Sequence, residues 1–168
     1  MGIRNTQMAM EILNALMEIP WVRQRSSIFS HAKILIVFLT SFKNVVAVCA
    51  ISRFFNVLAI YVEKEYRRRG VGRRILDKAI EEARKQDLNF ISLSVYAKNL
   101  PALQLYSKLG FRKILNLEQL PYYVMILPLT HRGEIICNFL STTLSKTPPA
   151  FLFFAAKFIE KVLVGRLL

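Results

Sequence analysis

The sequence predicts an α/β fold: a mixed, mostly antiparallel sheet flanked by helices and followed by a helical extension. Three observations carry this. Two β-branched apolar runs, Lys33 to Thr40 and Val45 to Ser52, flank the turn Ser41-Phe42-Lys43-Asn44 and read as an antiparallel hairpin. An apolar run into Val62, an amphipathic pattern over 70–86 and an alternating run from Phe90 to Tyr96 make a strand–helix–strand unit. Such a crossover is right-handed and sets its two strands parallel. Arg112 to Asn116 and Tyr122 to Leu127 then read as a closing antiparallel pair.

From the N-terminus, Met8, Ile12, Leu13, Leu16 and Met17 fall on one face of a helix that Pro20 ends, and Trp21 to His31 reads as loop. After the hairpin, Arg53 to Asn56 makes a second turn into a strand at 57–63. Beyond Val71, the apolar positions Ile75, Leu76, Ala79, Ile80 and Ala83 line one helical face. Arg73–Asp77, Lys78–Glu82 and Glu81–Lys85 sit at i,i+4 on the opposite face, a solvated charge lattice. In the next strand, Ile91, Leu93 and Val95 alternate with Phe90, Ser92, Ser94 and Tyr96. Asn99 can cap the helix that follows, with Pro101 tolerated in its first turn and Gly110 ending it. Arg132 to Ser145 carries Ile135, Ile136, Phe139, Leu140 and Leu144 at helical spacing; Thr147-Pro148-Pro149 breaks it, and Phe151 to Leu168 resumes as a second helix with a broad apolar face. This pair of helices has three readings: cover for the domain's own core, a homodimer interface, or helices lying in a membrane surface.

The 168 residues suit one domain with ample chain for a core. Hydrophobic content of 54% is high for a soluble monomer, yet no apolar run approaches the roughly eighteen residues of a membrane-spanning helix. The N-terminus lacks a secretory pattern, because Asn5, Thr6 and Gln7 follow Arg4 and Glu11 interrupts the apolar stretch. Cys49 and Cys137 form no metal or redox spacing and read as reduced thiols of a cytoplasmic protein; no metal is expected. A net charge of +13 invites nucleic acid as a partner. Arg67, Arg68, Arg69, Arg73 and Arg74 cluster on one loop, however, and the remaining charge lacks the interleaved aromatics of a single-strand binder. Nucleic acid is therefore disfavoured as the principal partner.

That loop organises the chain. Ile60-Tyr61-Val62 ends a strand, Arg67-Arg68-Arg69-Gly70-Val71-Gly72-Arg73-Arg74 follows a polar turn, and a helix begins. Gly70 and Gly72 lack Cβ just where the first-turn N–H groups have no intrahelical acceptor. With the positive helix end and flanking arginines, this describes an anion site suited to a diphosphate. It is not a Walker A loop, which needs four residues between its first glycine and Gly-Lys-Ser/Thr. Nor is it the dinucleotide fingerprint: Ile75 stands where a third glycine belongs, and Ser92 and Ser94 occupy the region of the acidic partner. Arg67-x-x-Gly70-x-Gly72 does resemble the coenzyme A pyrophosphate loop of the GNAT N-acetyltransferases. Downstream, Asn99-x-x-Ala102-x-x-Leu105-Tyr106-x-Lys108-x-Gly110-Phe111 is similar to that family's second signature. The resemblance covers residues 33–129 and is nearest to the branch that acetylates protein N-termini and ribosomal proteins.

The resemblance implies a sheet splayed at the parallel pair, with the pantetheine arm of acetyl-CoA inserted between the diverging strands. The backbone of Ile60, Tyr61 and Val62 would pair with that arm, and residues 67–74 would hold the pyrophosphate. The Val62 backbone would stabilise the oxyanion, Asn99 would cap its helix or contact the coenzyme, and Tyr106 would serve as general acid. It also implies a domain of residues 1–129, with 1–32 an abbreviated N-terminal part and 33–129 the core, followed by an extension at 130–168. The expected activity is transfer of the acetyl group from acetyl-CoA to a primary amine, either a protein N-terminus or a small amine. The alternative is an acyl-CoA-binding or scaffold protein with little turnover. The two separate at the base: the ribosomal-protein branch has glutamate where this chain has Ser94, and residues 56–62 hold no carboxylate. Glu63 and Glu65 fall in the turn and read as solvated, and His31 is a lone candidate. A water relay through Ser94 or Tyr96, or no strong base, remains. At pH 7 an α-amine of pKa about 8 needs about 1.4 kcal/mol to become neutral, whereas lysine at about 10.4 needs roughly 4.6 kcal/mol. The lack of a carboxylate base therefore leans the acceptor towards an α-amine.

Overall fold

The β-branched runs form strands and the 3.6-residue periodicities form helices. The computed structural model describes residues 6–27, 32–40, 44–52, 56–115 and 121–145. Its elements are α1 (Thr6–Met17), α2 (Pro20–Arg23), β1 (Ala32–Leu39), β2 (Val45–Ser52), β3 (Asn56–Val62), a 3₁₀ turn (Lys64–Tyr66), α3 (Val71–Lys85), β4 (Phe90–Tyr96), α4 (Leu100–Lys108), β5 (Arg112–Leu115), β6 (Tyr122–Pro128) and α5 (His131–Ser145). The expected turns at 41–43 and 53–55, His31, Asn116 at the end of its expected strand and the second C-terminal helix at 151–168 lie outside the described residues. Hydrogen bonding orders the strands β1-β2-β3-β4-β6-β5. The expected parallel pair is present, with Asn56 opposite Ser92 and Val57 opposite Leu93.

The chain divides into two compact units, residues 1–51 with 58–79 and residues 52–57 with 80–168. In the first, Leu16, Val22 and Val48 form a buried cluster against which Ile12, Met17, Ile19, Trp21, Val37, Val45 and Tyr61 pack. Trp21 to Arg23 therefore belongs to a short helix, not to the loop that the sequence suggested. Pro20 ends one helix and starts the next, because its missing N–H costs nothing at a first helical position.

In the second unit, β4 pairs along its whole length with β6, from Phe90↔Pro128 to Tyr96↔Tyr122. Ser92 is buried along with Ile91 and Leu93, and exposure begins at Ser94. The expected polar face is thus covered at Ser92, as befits a central strand. β5 pairs with β6 through a register shift between Lys113 and Leu115.

Asn89 anchors α5. Its carbonyl accepts from Leu129 N–H at 2.9 Å and its side-chain oxygen from the Thr130 hydroxyl at 2.9 Å. That hydroxyl in turn caps α5 by accepting from Gly133 N–H at 3.1 Å. Gly133 and Cys137 are buried, whereas Ile135 and Phe139 are 57% and 67% exposed. The helix was foreseen, but Ile135 and Phe139 point outward instead of joining Ile136 and Leu140 on the inner face.

Both thiols are buried. Burial pushes Cys49 from 9.0 up to about 12 and also raises Cys137. The raised Cys49 value makes its contribution to stability complete below about pH 9 and lost as pH climbs towards 12. At pH 8 a disulfide reagent should therefore label the native protein at least a hundred-fold more slowly than the denatured chain. Equal labelling rates would contradict this placement.

Candidate active site

The arginine-rich loop starts where β3 runs out. Glu63 N–H donates to the Val46 carbonyl at 2.8 Å, tying that residue to β2. Adjacent residues of an extended chain alternate sides, so Val62's own N–H and carbonyl point away from β2. Its carbonyl accepts from Arg67 Nε at 2.9 Å. Arg67 thus closes the strand end as well as opening the loop.

The loop is turned by two left-handed residues, Arg68 at φ 62° and Gly70 at φ 77°. A Cβ at Gly70 would meet no atom within 4 Å, so the backbone there is open to a close-lying ligand. The helix that begins at Val71 is 15 residues long, and its first N–H groups lack intrahelical acceptors. Arg67, Arg68, Arg69, Arg73 and Arg74 are all exposed. Arg69 lies over the Tyr66 ring at 5.9 Å and Arg74 over Phe38 at 5.5 Å, which directs two cations without neutralising them. Arg73 meets Asp77 at 3.7 Å, an exposed pair worth well under about 1 kcal/mol and easily exchanged for a phosphate. Of the other expected helix pairs, Lys85 meets Glu81 at 2.9 Å and also Glu82 at 2.8 Å.

Beside the loop stands a cluster that the sequence did not announce. Trp21 stacks on Tyr61 with ring centroids 5.2 Å apart, and the Arg25 guanidinium lies 4.7 Å from the Trp21 centroid. The Tyr61 hydroxyl donates to Glu63 Oε2 at 2.6 Å, while Glu63 Oε1 accepts from Lys64 N–H at 2.8 Å. The Tyr61 hydrogen bond, then the Lys64 amide and the Arg67 charge, hold the Glu63 carboxyl below its usual range. Burial, then the Glu63 bond, pushes the Tyr61 phenol up. At neutral pH the donor is therefore a neutral phenol and the acceptor a carboxylate. Glu63 is fixed and half-buried, not the solvated turn residue expected; Glu65 is exposed as expected. Tyr61 and Glu63 share a strand face by their i,i+2 spacing, a signal the sequence did carry. The Trp21 stack has no local signature.

In the other unit, Asn99 Oδ1 accepts from Ala102 N–H at 3.3 Å, capping α4 with Pro101 in its first turn. Phe111 N–H bonds the Tyr106 carbonyl at 3.0 Å and Gly110 N–H the Ser107 carbonyl at 3.0 Å, with Gly110 at φ 92°. This is a Schellman closure, and its accompanying apolar contact is Tyr106 on Phe111 at 5.8 Å. Tyr106 is thus held at both backbone and ring, and is half-buried. Ser94 and Tyr96 are exposed on one face of β4. Among the described residues no group of three His, Cys, Asp or Glu could hold a metal, and no helix is long and apolar enough to cross a membrane.

A sequence model described as the acetyltransferase (GNAT) family matches residues 6–111. The chain belongs to the GNAT acetyltransferase family. The match extends N-terminal of the 33–129 span that the motifs suggested, taking in α1 and α2, and stops at Phe111. Among relatives, an N-alpha-acetyltransferase from Saccharolobus solfataricus is 36% identical over 75 residues, 44% of each chain. The Escherichia coli [ribosomal protein bS18]-alanine N-acetyltransferase is 39% identical over 54 residues, 32% of this chain and 36% of that one. The alignment therefore spans less than half the length of these GNAT relatives. The crystal structure of the ribosomal-protein-S18-alanine N-acetyltransferase from Escherichia coli has a TM-score of 0.55 at 23% identity, covering 64% of this chain and 76% of that chain. That likeness is one of GNAT fold.

Proposed function

We propose that this protein transfers the acetyl group of acetyl-CoA to the α-amine at a protein or peptide N-terminus. The observation that carries this reading is the loop from Arg67 to Arg74. It joins a left-handed glycine with open space above it, a helix N-terminus and five exposed arginines within eight residues. Those groups suit a diphosphate: main-chain N–H groups and the helix dipole meet its oxygens, and the arginines offset its charge. Residues 67–74 would hold the pyrophosphate, and the main chain of Ile60 to Val62 the pantetheine arm. Asn99 already serves as a cap through its side-chain oxygen, which leaves any coenzyme contact to its amide group.

In the reaction, the neutral amine attacks the thioester carbonyl, a C–N bond forms and the C–S bond breaks. The Val62 N–H donates to the carbonyl oxygen as charge gathers there. Tyr106 gives its proton to the departing thiolate, and the proton lost by the amine leaves through water at Ser94. A phenol of pKa about 10 facing a thiol of about 8.5 makes that donation slightly uphill but feasible when concerted with C–S cleavage.

The acceptor follows from the base. β4 has Ser94 and no carboxylate, while Glu63 is committed to Tyr61 and Lys64. A site without a strong base favours the amine that is cheaper to neutralise, by roughly 3 kcal/mol for an α-amine over lysine. The N-terminal acceptors in the relatives' names support the same choice. We expect acetyl-CoA to bind, and an N-terminal peptide to be acetylated at least a hundred-fold faster than an α-blocked twin bearing one lysine. Preference for the lysine peptide would overturn the acceptor. Absence of coenzyme binding in calorimetry would overturn the whole reading.

A further inference from the structure

We propose that the side chains of Tyr61 and Glu63 are positioning residues for acyl transfer, fixing the Val62 amide between them. This rests on the reading above, in which that amide meets the thioester oxygen. The residues on either side of Val62 are joined over one strand face, phenol to carboxylate, at 2.6 Å. The second carboxylate oxygen takes Lys64 N–H at 2.8 Å, so the same side chain sets the 3₁₀ turn that follows. Arg67 Nε fastens the Val62 carbonyl at 2.9 Å. The Tyr61 ring is itself stacked against Trp21, whose position is fixed by the Leu16–Val22–Val48 cluster.

Val62 is thus held from the residue before it, from the residue after it and at its own carbonyl. Strand ends fray, and this one carries a donor whose direction matters. A donor already aimed at developing charge needs no reorganisation during the reaction, whereas one that swings loses much of its effect. The side chains of Tyr61 and Glu63 touch neither coenzyme nor amine in this scheme; they act through the main chain.

Three variants test it: Tyr61→Phe keeps the ring on Trp21 and removes the hydroxyl bond. Glu63→Ala removes both carboxylate bonds, and Glu63→Gln keeps one accepting oxygen for two donors. With saturating acetyl-CoA and an N-terminal peptide, kcat should fall about ten-fold in Tyr61→Phe and Glu63→Ala, with Glu63→Gln between wild type and Glu63→Ala. Coenzyme affinity should fall by a smaller factor than kcat, because residues 67–74 are untouched. The double variant should be no slower than Glu63→Ala, since the bond that Tyr61→Phe breaks is already absent in Glu63→Ala. In the free protein, amide exchange should quicken at Val62 in Tyr61→Phe and Glu63→Ala and at Lys64 in Glu63→Ala, a readout independent of turnover. The proposal fails if kcat stays within two-fold, or if coenzyme affinity drops by the same factor as kcat. Unchanged exchange at Val62 would sink it even if the wild-type protein transferred nothing, which separates this idea from the functional reading beneath it.

Discussion

Replacing Tyr106 by phenylalanine should lower kcat about 10²- to 10³-fold while leaving acetyl-CoA affinity within two-fold. The substitution is clean because of how the residue is held. Its ring packs on Phe111 at 5.8 Å, and its carbonyl takes the Phe111 amide at 3.0 Å. Phenylalanine keeps both, so the helix C-terminus should survive and the missing hydroxyl is left as the cause. Alanine would confuse the result by removing the apolar contact that accompanies the Schellman closure. A general acid matters most when the leaving group is poor. The variant should therefore lose least with an acyl donor whose thiol is more acidic than that of coenzyme A. A Tyr106→Phe enzyme with wild-type kcat would remove the proton-donor role and leave Tyr106 as a packing residue against Phe111.

What could be read in advance was local. Asn99 and Gly110 bracket α4 because a cap and a left-handed stop each act within a few residues of their own position. The Arg67–Arg74 loop was legible for the same reason: glycine freedom, helix-end N–H groups and charge are properties of eight consecutive residues. The side of α5 that packs inward was not. Ile135, Ile136, Phe139 and Leu140 offer two adjacent apolar stripes, and the choice between them is made by Gly133 lying on Asn89, 44 positions away. Trp21 likewise reads as loop beside Pro20 until Tyr61 is brought under it. Glu63 looked solvated because its partner's hydroxyl reaches it only once both side chains share a strand face. In each case the deciding contact is tertiary, and no periodicity records it.

The contact under Gly133 leads to the second large effect, one that runs against simple volume arguments. Gly133→Ala adds one methyl group to the first turn of a helix, where alanine's intrinsic propensity favours it by about 1 kcal/mol. Here that Cβ would sit 1.8 Å from the Asn89 carbonyl oxygen and 2.8 Å from its carbon. The obstacle is main chain, so no rotamer relieves it. Either α5 lifts or Asn89 shifts, and Asn89 is tied to Leu129 and to the Thr130 cap. Arg112, paired with Glu134 at 2.7 Å, resists the same movement. Overpacking against fixed backbone should exceed the propensity gain, for a net loss of about 2–4 kcal/mol and a fall in Tm on the order of 5–10 °C. Phe139→Ala removes a whole ring from the same helix, yet that ring is 67% exposed and its loss should stay within about 0.5 kcal/mol. Thermal or denaturant unfolding of the two variants side by side checks the orientation of α5. If the ring deletion proved costly and the added methyl harmless, the helix would have to be turned by the angle separating its two apolar stripes.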